Sequence, residues 1–244
     1  MKDDLITVQL INDLKQNNCS NSIQNSISHY YFKSIVTTVI LIVMIISANY
    51  QIKPNSNITQ CMLDNVQVLF SKATLYLEKN HHARNLLIFL SSLLIDLIVI
   101  TTCTMWSVNG KSFKFIISVV CFYLFRMLVQ KMYQMPYPDK YIFADPGFYS
   151  LTVSYLKTND FFFSGHVGIP LLCAHEYKVN NLNSLMIFCI FASFLEAFVM
   201  ISTGGHYSVD ILAGWLFALY FIKIATFVAK NIDWIIFTDI DNKY

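Results

Sequence analysis

Long apolar blocks separated by short polar ones run through this chain. Six stretches approach the roughly 20 mainly apolar residues needed to cross a hydrocarbon core: 33–50, 85–106, 112–131, 161–177, 184–203 and 207–229. Because backbone polar groups inside lipid must be satisfied within the segment, each is predicted to be a helix. The pattern predicts an all-α polytopic membrane protein, a six-transmembrane-helix bundle without internal repeat. It divides into a polar cytosolic tail over 1–32, a six-span membrane domain over 33–230 and a short C-terminal tail over 231–244. The stretch 51–84 mixes apolar and polar positions and is expected along the interface, not as a seventh span.

Composition agrees with this division. Of 244 residues 55% are hydrophobic and only 13% charged, which excludes an ordinary soluble domain. A formal net charge of +2, with no basic cluster on an amphipathic stretch, gives no sign of a nucleic-acid partner. The cysteines (19, 61, 103, 121, 173 and 189) form no C-x-x-C pair, and Cys103, Cys121, Cys173 and Cys189 fall inside apolar runs as small hydrophobes. Neither a metal site nor a disulfide framework is expected. The Asn/Ser-rich start lacks the short apolar core of a cleavable signal peptide. Asn57-Ile58-Thr59 is a glycosylation sequon, usable if its loop is lumenal; Asn18-Cys19-Ser20 is expected to be silent. Lys and Arg near the span ends are almost evenly shared between the two sides, so charge does not set the orientation.

Chemistry concentrates at two polar interruptions. DFFFSGH, Asp160 to His166, opens the fourth span, and TGGHYSVD, Thr203 to Asp210, opens the sixth. Two crossings separate them, so both return to one membrane face, where the third span also ends and brings Arg126 and Lys131. Helix N-termini with free N–H groups, together with cations, suit an anionic group at headgroup depth. His206 and Asp210 are four residues apart, a spacing that puts both on one helix face and lets the carboxylate orient one ring nitrogen while the other stays basic. Such an imidazole is a nucleophile or base. Phosphoryl transfer to it requires a proton donor for the leaving alkoxide, which His166 can supply. It also requires donors for the phosphoryl oxygens, available from Arg126, Lys131, the Ser164 hydroxyl and amides around Gly165 and Gly204-Gly205. Pro170 leaves the His166 carbonyl without its helical donor, so an irregular first turn is expected in the fourth span.

Other polar residues carry plainer readings. An H-x-x-x-D pair taken alone is first a helix-surface pair, and Arg126 taken alone could snorkel to the interface. Asp96 and Glu196 lie inside spans, where a carboxylate implies either a function or a protonated interhelical hydrogen bond; both stand outside the predicted site. His81-His82 and His175-Glu176 are expected on the solvated surface. Phe161 to Phe163, Tyr133, Tyr137 and Tyr141 fit an interfacial aromatic belt first and a choline cage second.

The segment YLFRMLVQKMYQMPYP (to Pro138), the element Asp160-Phe-Phe-Phe-Ser-Gly-His166 and the element GHYSVD, set among six spans, resemble the type 2 phosphatidic acid phosphatase superfamily. The resemblance is narrower to its sphingomyelin-synthase-like branch, which includes phosphatidylcholine:diacylglycerol cholinephosphotransferases, and covers roughly residues 85–230. It implies His206 as nucleophile, Asp210 as its orienter and His166 as the acid that protonates departing diacylglycerol and later deprotonates the acceptor. Arg126, Lys131, Ser164 and Gly165 would hold the substrate phosphate, with Asp160 and Tyr207 in support. The reaction implied moves phosphocholine, or a related headgroup, from a phospholipid donor to a lipid alcohol such as ceramide or diacylglycerol, with no metal or organic cofactor. The branch places its site on the lumenal or exoplasmic face of an endomembrane (Golgi or endoplasmic reticulum) or of the plasma membrane; homo-oligomerisation is left open. Met200 stands six residues before His206, where phosphatases of the superfamily carry arginine, which weakens the reading as a simple lipid phosphatase. The alternatives are a phosphatase or phospholipase C-type hydrolase of the same fold, and a catalytically silent lipid-binding relative.

Overall fold

The computed structural model describes residues 31–46, 62–155 and 161–241. Within them the protein is all-helical, with no strand. The helices are α1 (Tyr31–Ile46), α2 (Asn65–Leu69), α3 (Ser71–Lys79), α4 (His81–Asn109), α5 (Lys114–Met132), α6 (Gly165–Val179), α7 (Asn183–Ser202) and α8 (Ser208–Asp241). Four of them, α4, α5, α7 and α8, are long and apolar enough to cross a membrane. The described part of α1 and the 15-residue α6 are shorter than that. Helix α8 continues to Asp241, through most of the stretch expected as a C-terminal tail. Residues 1–30 of the amino-terminal tail and the Asn57 sequon lie outside the described residues, while the last two tail residues, Tyr31 and Phe32, begin α1.

Helix α6 is the hub, packed against α4, α5, α7 and α8. Its short length suits that position, since a helix enclosed by others need not present a full apolar span to lipid. It crosses α8 where both backbones are bare: a Cβ on Gly214 would lie 2.5 Å from the Ser164 carbonyl oxygen, and one on Gly168 would meet Phe122. Small residues at such crossings let membrane helices approach closely. Helix α6 runs without a break through Pro170, so the irregular first turn expected from sequence is not observed. Behind that turn, Ser193 Oγ donates to the Val167 carbonyl at 2.7 Å and itself accepts from Trp215 Nε1 at 2.8 Å. These contacts tie α6 to α7 and α8.

Up-and-down threading puts the end of α5, the start of α6, the end of α7 and the start of α8 at one end of the bundle. At the other end Asp233 accepts from Ser112 Oγ and from the Phe113 amide, and Lys33 of α1 donates to the Gly110 carbonyl. The segment 62–79, expected along the interface, forms α2 and α3 and docks on α7. Asp64 joins two helix starts. Its carboxylate accepts from the Val66 and Gln67 amides of α2 and from the Ser208 amide of α8, the last at 2.6 Å.

The carboxylates inside the bundle have structural partners. Glu196 on α7 is fully buried and accepts from Ser91 Oγ of α4 at 2.6 Å. Asp96, in the middle of α4, accepts from the Ser150 and Thr152 hydroxyls and from the Leu151 and Thr152 amides, at 2.6 to 3.0 Å. The non-helical chain after α5 therefore reaches down beside α4, and Asp96 satisfies polar backbone that would otherwise be stranded in an apolar layer. Near the far end of α6, Glu176 is buried, contrary to the solvated position expected, and accepts from Asn180 Nδ2 at 3.0 Å. His81 and His82 are exposed as expected.

Candidate active site

The His-Asp pair forms, by a different route from a shared helix face. Helix α8 begins only at Ser208, so His206 and Tyr207 lie in the turn before it and Asp210 in its first turn. Asp210 reaches back to accept from the Tyr207 amide at 2.9 Å, as an acidic residue does in a capping box. The same oxygen, Oδ2, lies 3.3 Å from His206 Nδ1, while Oδ1 accepts from the Phe162 amide at 2.8 Å. Both side chains are buried, His206 at 1% and Asp210 at 0% exposure. A carboxylate with three such partners is held rigidly, and it fixes the imidazole as the tautomer with its proton on Nδ1, leaving Nε2 with its lone pair.

The second histidine arrives from α6. Ser164 precedes the helix, Gly165 and His166 form its first turn, and the Ser164 amide donates to the Asp210 main-chain carbonyl at 3.1 Å. That bond locks the start of α6 to the start of α8. The His166 ring consequently lies 5.7 Å, centroid to centroid, from the His206 ring. Ser164 is fully buried and its hydroxyl has no partner among the described residues, an arrangement that leaves a donor for an incoming polar group.

Arg126 is buried on α5, not snorkelling to the interface. Its Nε donates to the Phe163 carbonyl at 3.1 Å, and the Gln130 amide, turned oxygen first, accepts from Nη2 at 3.1 Å. A Cβ on Gly165 would stand 3.8 Å from Arg126 Nε, so the guanidinium lies directly against the bare first residue of α6. Arg126, Gly165 and His166 share a cavity of about 40 Å³ with Thr152, Val153 and Ser154 of the chain clamped by Asp96.

Other predicted site residues fall elsewhere. Lys131 is exposed in the last turn of α5 and does not line this cavity. Asp160 lies outside the described residues. Tyr207 is buried and donates its hydroxyl to the Pro136 carbonyl, tying the chain after α5 to the start of α8. Gly204 and Gly205 are not phosphate cradles: their amides donate to the Ile201 and Met200 carbonyls in closing α7. Gly204 has φ +65°, and a Cβ there would stand 2.3 Å from the Lys140 carbonyl oxygen. Gly204→Ala is therefore expected to lower the thermal midpoint in detergent well beyond Gly147→Ala. At Gly147 φ is also positive but the space around it is open, so alanine costs only about 1–2 kcal/mol. Equal midpoints would show that the Lys140 contact is unimportant.

The three phenylalanines are not a uniform belt. Phe161 and Phe163 are buried, the first edge-on to His206 at 6.2 Å, the second packed on Phe122 at 4.6 Å. Only the half-buried Phe162 faces outward, stacked on Tyr133. Sequence reading missed Gln130, Asp64 and the stretch 150–154. None carries a motif, because each contributes through a contact made across more than one helix or, for Gln130, through one turn of α5.

No curated protein and no solved structure matches the chain. Residues 64–227, about two thirds of the chain, match the AtPDCT1/2 family. That interval runs from Asp64 through both histidine elements and leaves out α1. The protein belongs to the AtPDCT1/2 family, a family of phosphatidylcholine:diacylglycerol cholinephosphotransferases.

Proposed function

We propose that this protein transfers phosphocholine from a phospholipid to a lipid alcohol, diacylglycerol or ceramide, through a phosphohistidine on His206, within a six-span bundle whose site faces the lumen or exterior. The observation that carries this reading is the buried Asp210–His206 pair facing His166 across 5.7 Å. His206 Nε2 attacks the phosphodiester phosphorus as the bond to the diacylglycerol oxygen breaks, and protonated His166 delivers its proton to that oxygen. The neutral His166 then removes the proton of an acceptor hydroxyl, whose oxygen attacks phosphorus and releases His206. Arg126, the Ser164 hydroxyl and the first amides of α6 stabilise charge on the phosphoryl oxygens.

Burial favours transfer over hydrolysis. His206, Asp210 and Ser164 are all nearly inaccessible, so a phosphohistidine formed there meets lipid-borne hydroxyls before bulk water. The test incubates purified protein in liposomes with headgroup-labelled phosphatidylcholine plus ceramide and diacylglycerol. Label on an acceptor lipid is expected and names the acceptor. Free phosphocholine alone would make the protein a phospholipase C-type hydrolase, and no turnover with any headgroup would leave a lipid-binding relative.

A further inference from the structure

The chain between α5 and α6 forms a second, larger cavity that the phosphoryl chemistry does not use. It has a volume of about 450 Å³, and its lining includes Asp145, Phe148, Tyr149 and Tyr155. It shares Val153 and Ser154 with the small cavity that holds Arg126, Gly165 and His166, so the two adjoin at that stretch of backbone. That backbone is fixed at depth by the four bonds to Asp96, and Phe148 is braced against Phe89 of α4 at 4.6 Å. Phe148 and Tyr149 are otherwise exposed at its mouth, and Asp145 is held in a turn by the Gly147 amide.

The charges along this path are ordered. A guanidinium lines the small cavity, a carboxylate lines the larger one, and neither Lys nor Arg lines the latter. Aromatic faces with a nearby carboxylate attract a cation that cannot donate hydrogen bonds, whereas an uncharged lipid alcohol gains nothing from Asp145. A ligand whose negative and positive groups are a short distance apart matches this order.

We infer that the larger cavity is the binding site for the quaternary ammonium of the donor headgroup, with Tyr155, Tyr149 and Phe148 as its aromatic walls and Asp145 as its counter-charge. The assignment names the headgroup selectivity of the proposed transferase and rests on that reading for its place in a reaction, though not for its test. With the equatorial phosphoryl oxygens at Arg126 and Gly165, the choline arm extends past Val153 and Ser154 into the aromatic cavity. The alcohol stays on the His166 side of the phosphorus, in line with His206.

The test reads binding without turnover. Detergent-purified His206→Ala protein is titrated calorimetrically with short-chain phosphatidylcholine, with its ethanolamine counterpart and with short-chain diacylglycerol. Choline is expected to bind about tenfold or more tightly than ethanolamine, Tyr155→Ala to weaken the choline ligand about five- to tenfold with little change for ethanolamine, and Asp145→Asn to weaken the choline ligand about five- to tenfold. Tyr155→Phe, which keeps the ring, should retain the preference. The exposed Asp145→Asn keeps the experiment decisive if Tyr155→Ala does not fold. No choline preference in the parent protein, unchanged choline affinity in the variants, or equal losses for both ligands in Tyr155→Ala would overturn the assignment. So would a selective loss of diacylglycerol binding, which would make the cavity an acceptor site. Failure of the transferase reading would show instead as absent turnover by the wild-type protein with choline binding intact.

Discussion

His206→Ala is expected to reduce phosphocholine transfer by at least about 10³-fold, to background, while the protein still inserts and purifies as the parent does. The magnitude follows from removing the group that forms the covalent intermediate, because the remaining phosphate donors cannot replace a nucleophile. The fold should tolerate the change, since the contacts that lock α6 to α8 use main chain and Asp210: Ser164 N to Asp210 O, and Phe162 N and Tyr207 N to the carboxylate. A second readout separates a lost nucleophile from a collapsed site. Wild-type protein quenched in acid-free denaturant after brief exposure to headgroup-labelled donor should carry acid-labile label on protein, and His206→Ala should carry none. Substantial transfer by the variant would remove His206 from the mechanism, and label that persists on it would move the nucleophile to another residue.

Asp210→Asn is expected to cost about 10³-fold in turnover with little effect on donor KM. The reason is one of donors and acceptors. Asp210 serves three partners with two acceptor oxygens, the Phe162 amide on Oδ1 and the Tyr207 amide and His206 Nδ1 on Oδ2. An asparagine has a single acceptor oxygen. If it faces Phe162, its NH₂ group confronts the Tyr207 amide and selects the His206 tautomer whose Nε2 carries the proton and cannot attack. If it faces His206, the Phe162 amide is left against another donor in a buried place. Either arrangement degrades the nucleophile while the substrate contacts at Arg126 and Ser164 remain. Loss of orientation of this kind is far larger than the loss of one surface hydrogen bond. Turnover within tenfold of wild type would reduce Asp210 to a helix cap, and a KM defect with normal turnover would make it a substrate-binding group.

These predictions concern residues legible from sequence, and the reason is local. The spacing of His206 and Asp210 fixes a contact within one turn, so no knowledge of distant chain is needed to pair them, even though they meet through a helix cap and not along a helix face. The apolar blocks likewise determine α4, α5, α7 and α8, because length and hydropathy alone decide whether a helix can cross a hydrocarbon core. Counting crossings placed DFFFSGH and TGGHYSVD at one end of the bundle. Parity is enough for that conclusion, and the threading of α6, α7 and α8 agrees with it.

What tertiary structure decided is wherever a polar group answers to a partner far away in the chain. Asp96 could be read from sequence as either a functional carboxylate or a hydrogen-bonded intramembrane one, and is the anchor of residues 150–152, more than fifty positions later. Arg126 and Lys131 looked equivalent as cations near a helix end. The start of α6 covers Arg126, while Lys131 remains exposed. Phe161 became a wall of the site and Phe163 part of the core because the turn holding them is pinned to Asp210, with only Phe162 left facing outward. A sequence by itself determines the periods and short-range pairs that are nearly independent of the rest of the chain. Which of two similar residues is buried, and which carboxylate serves structure instead of chemistry, depends on desolvation and hydrogen bonding between segments that only the packed bundle brings together.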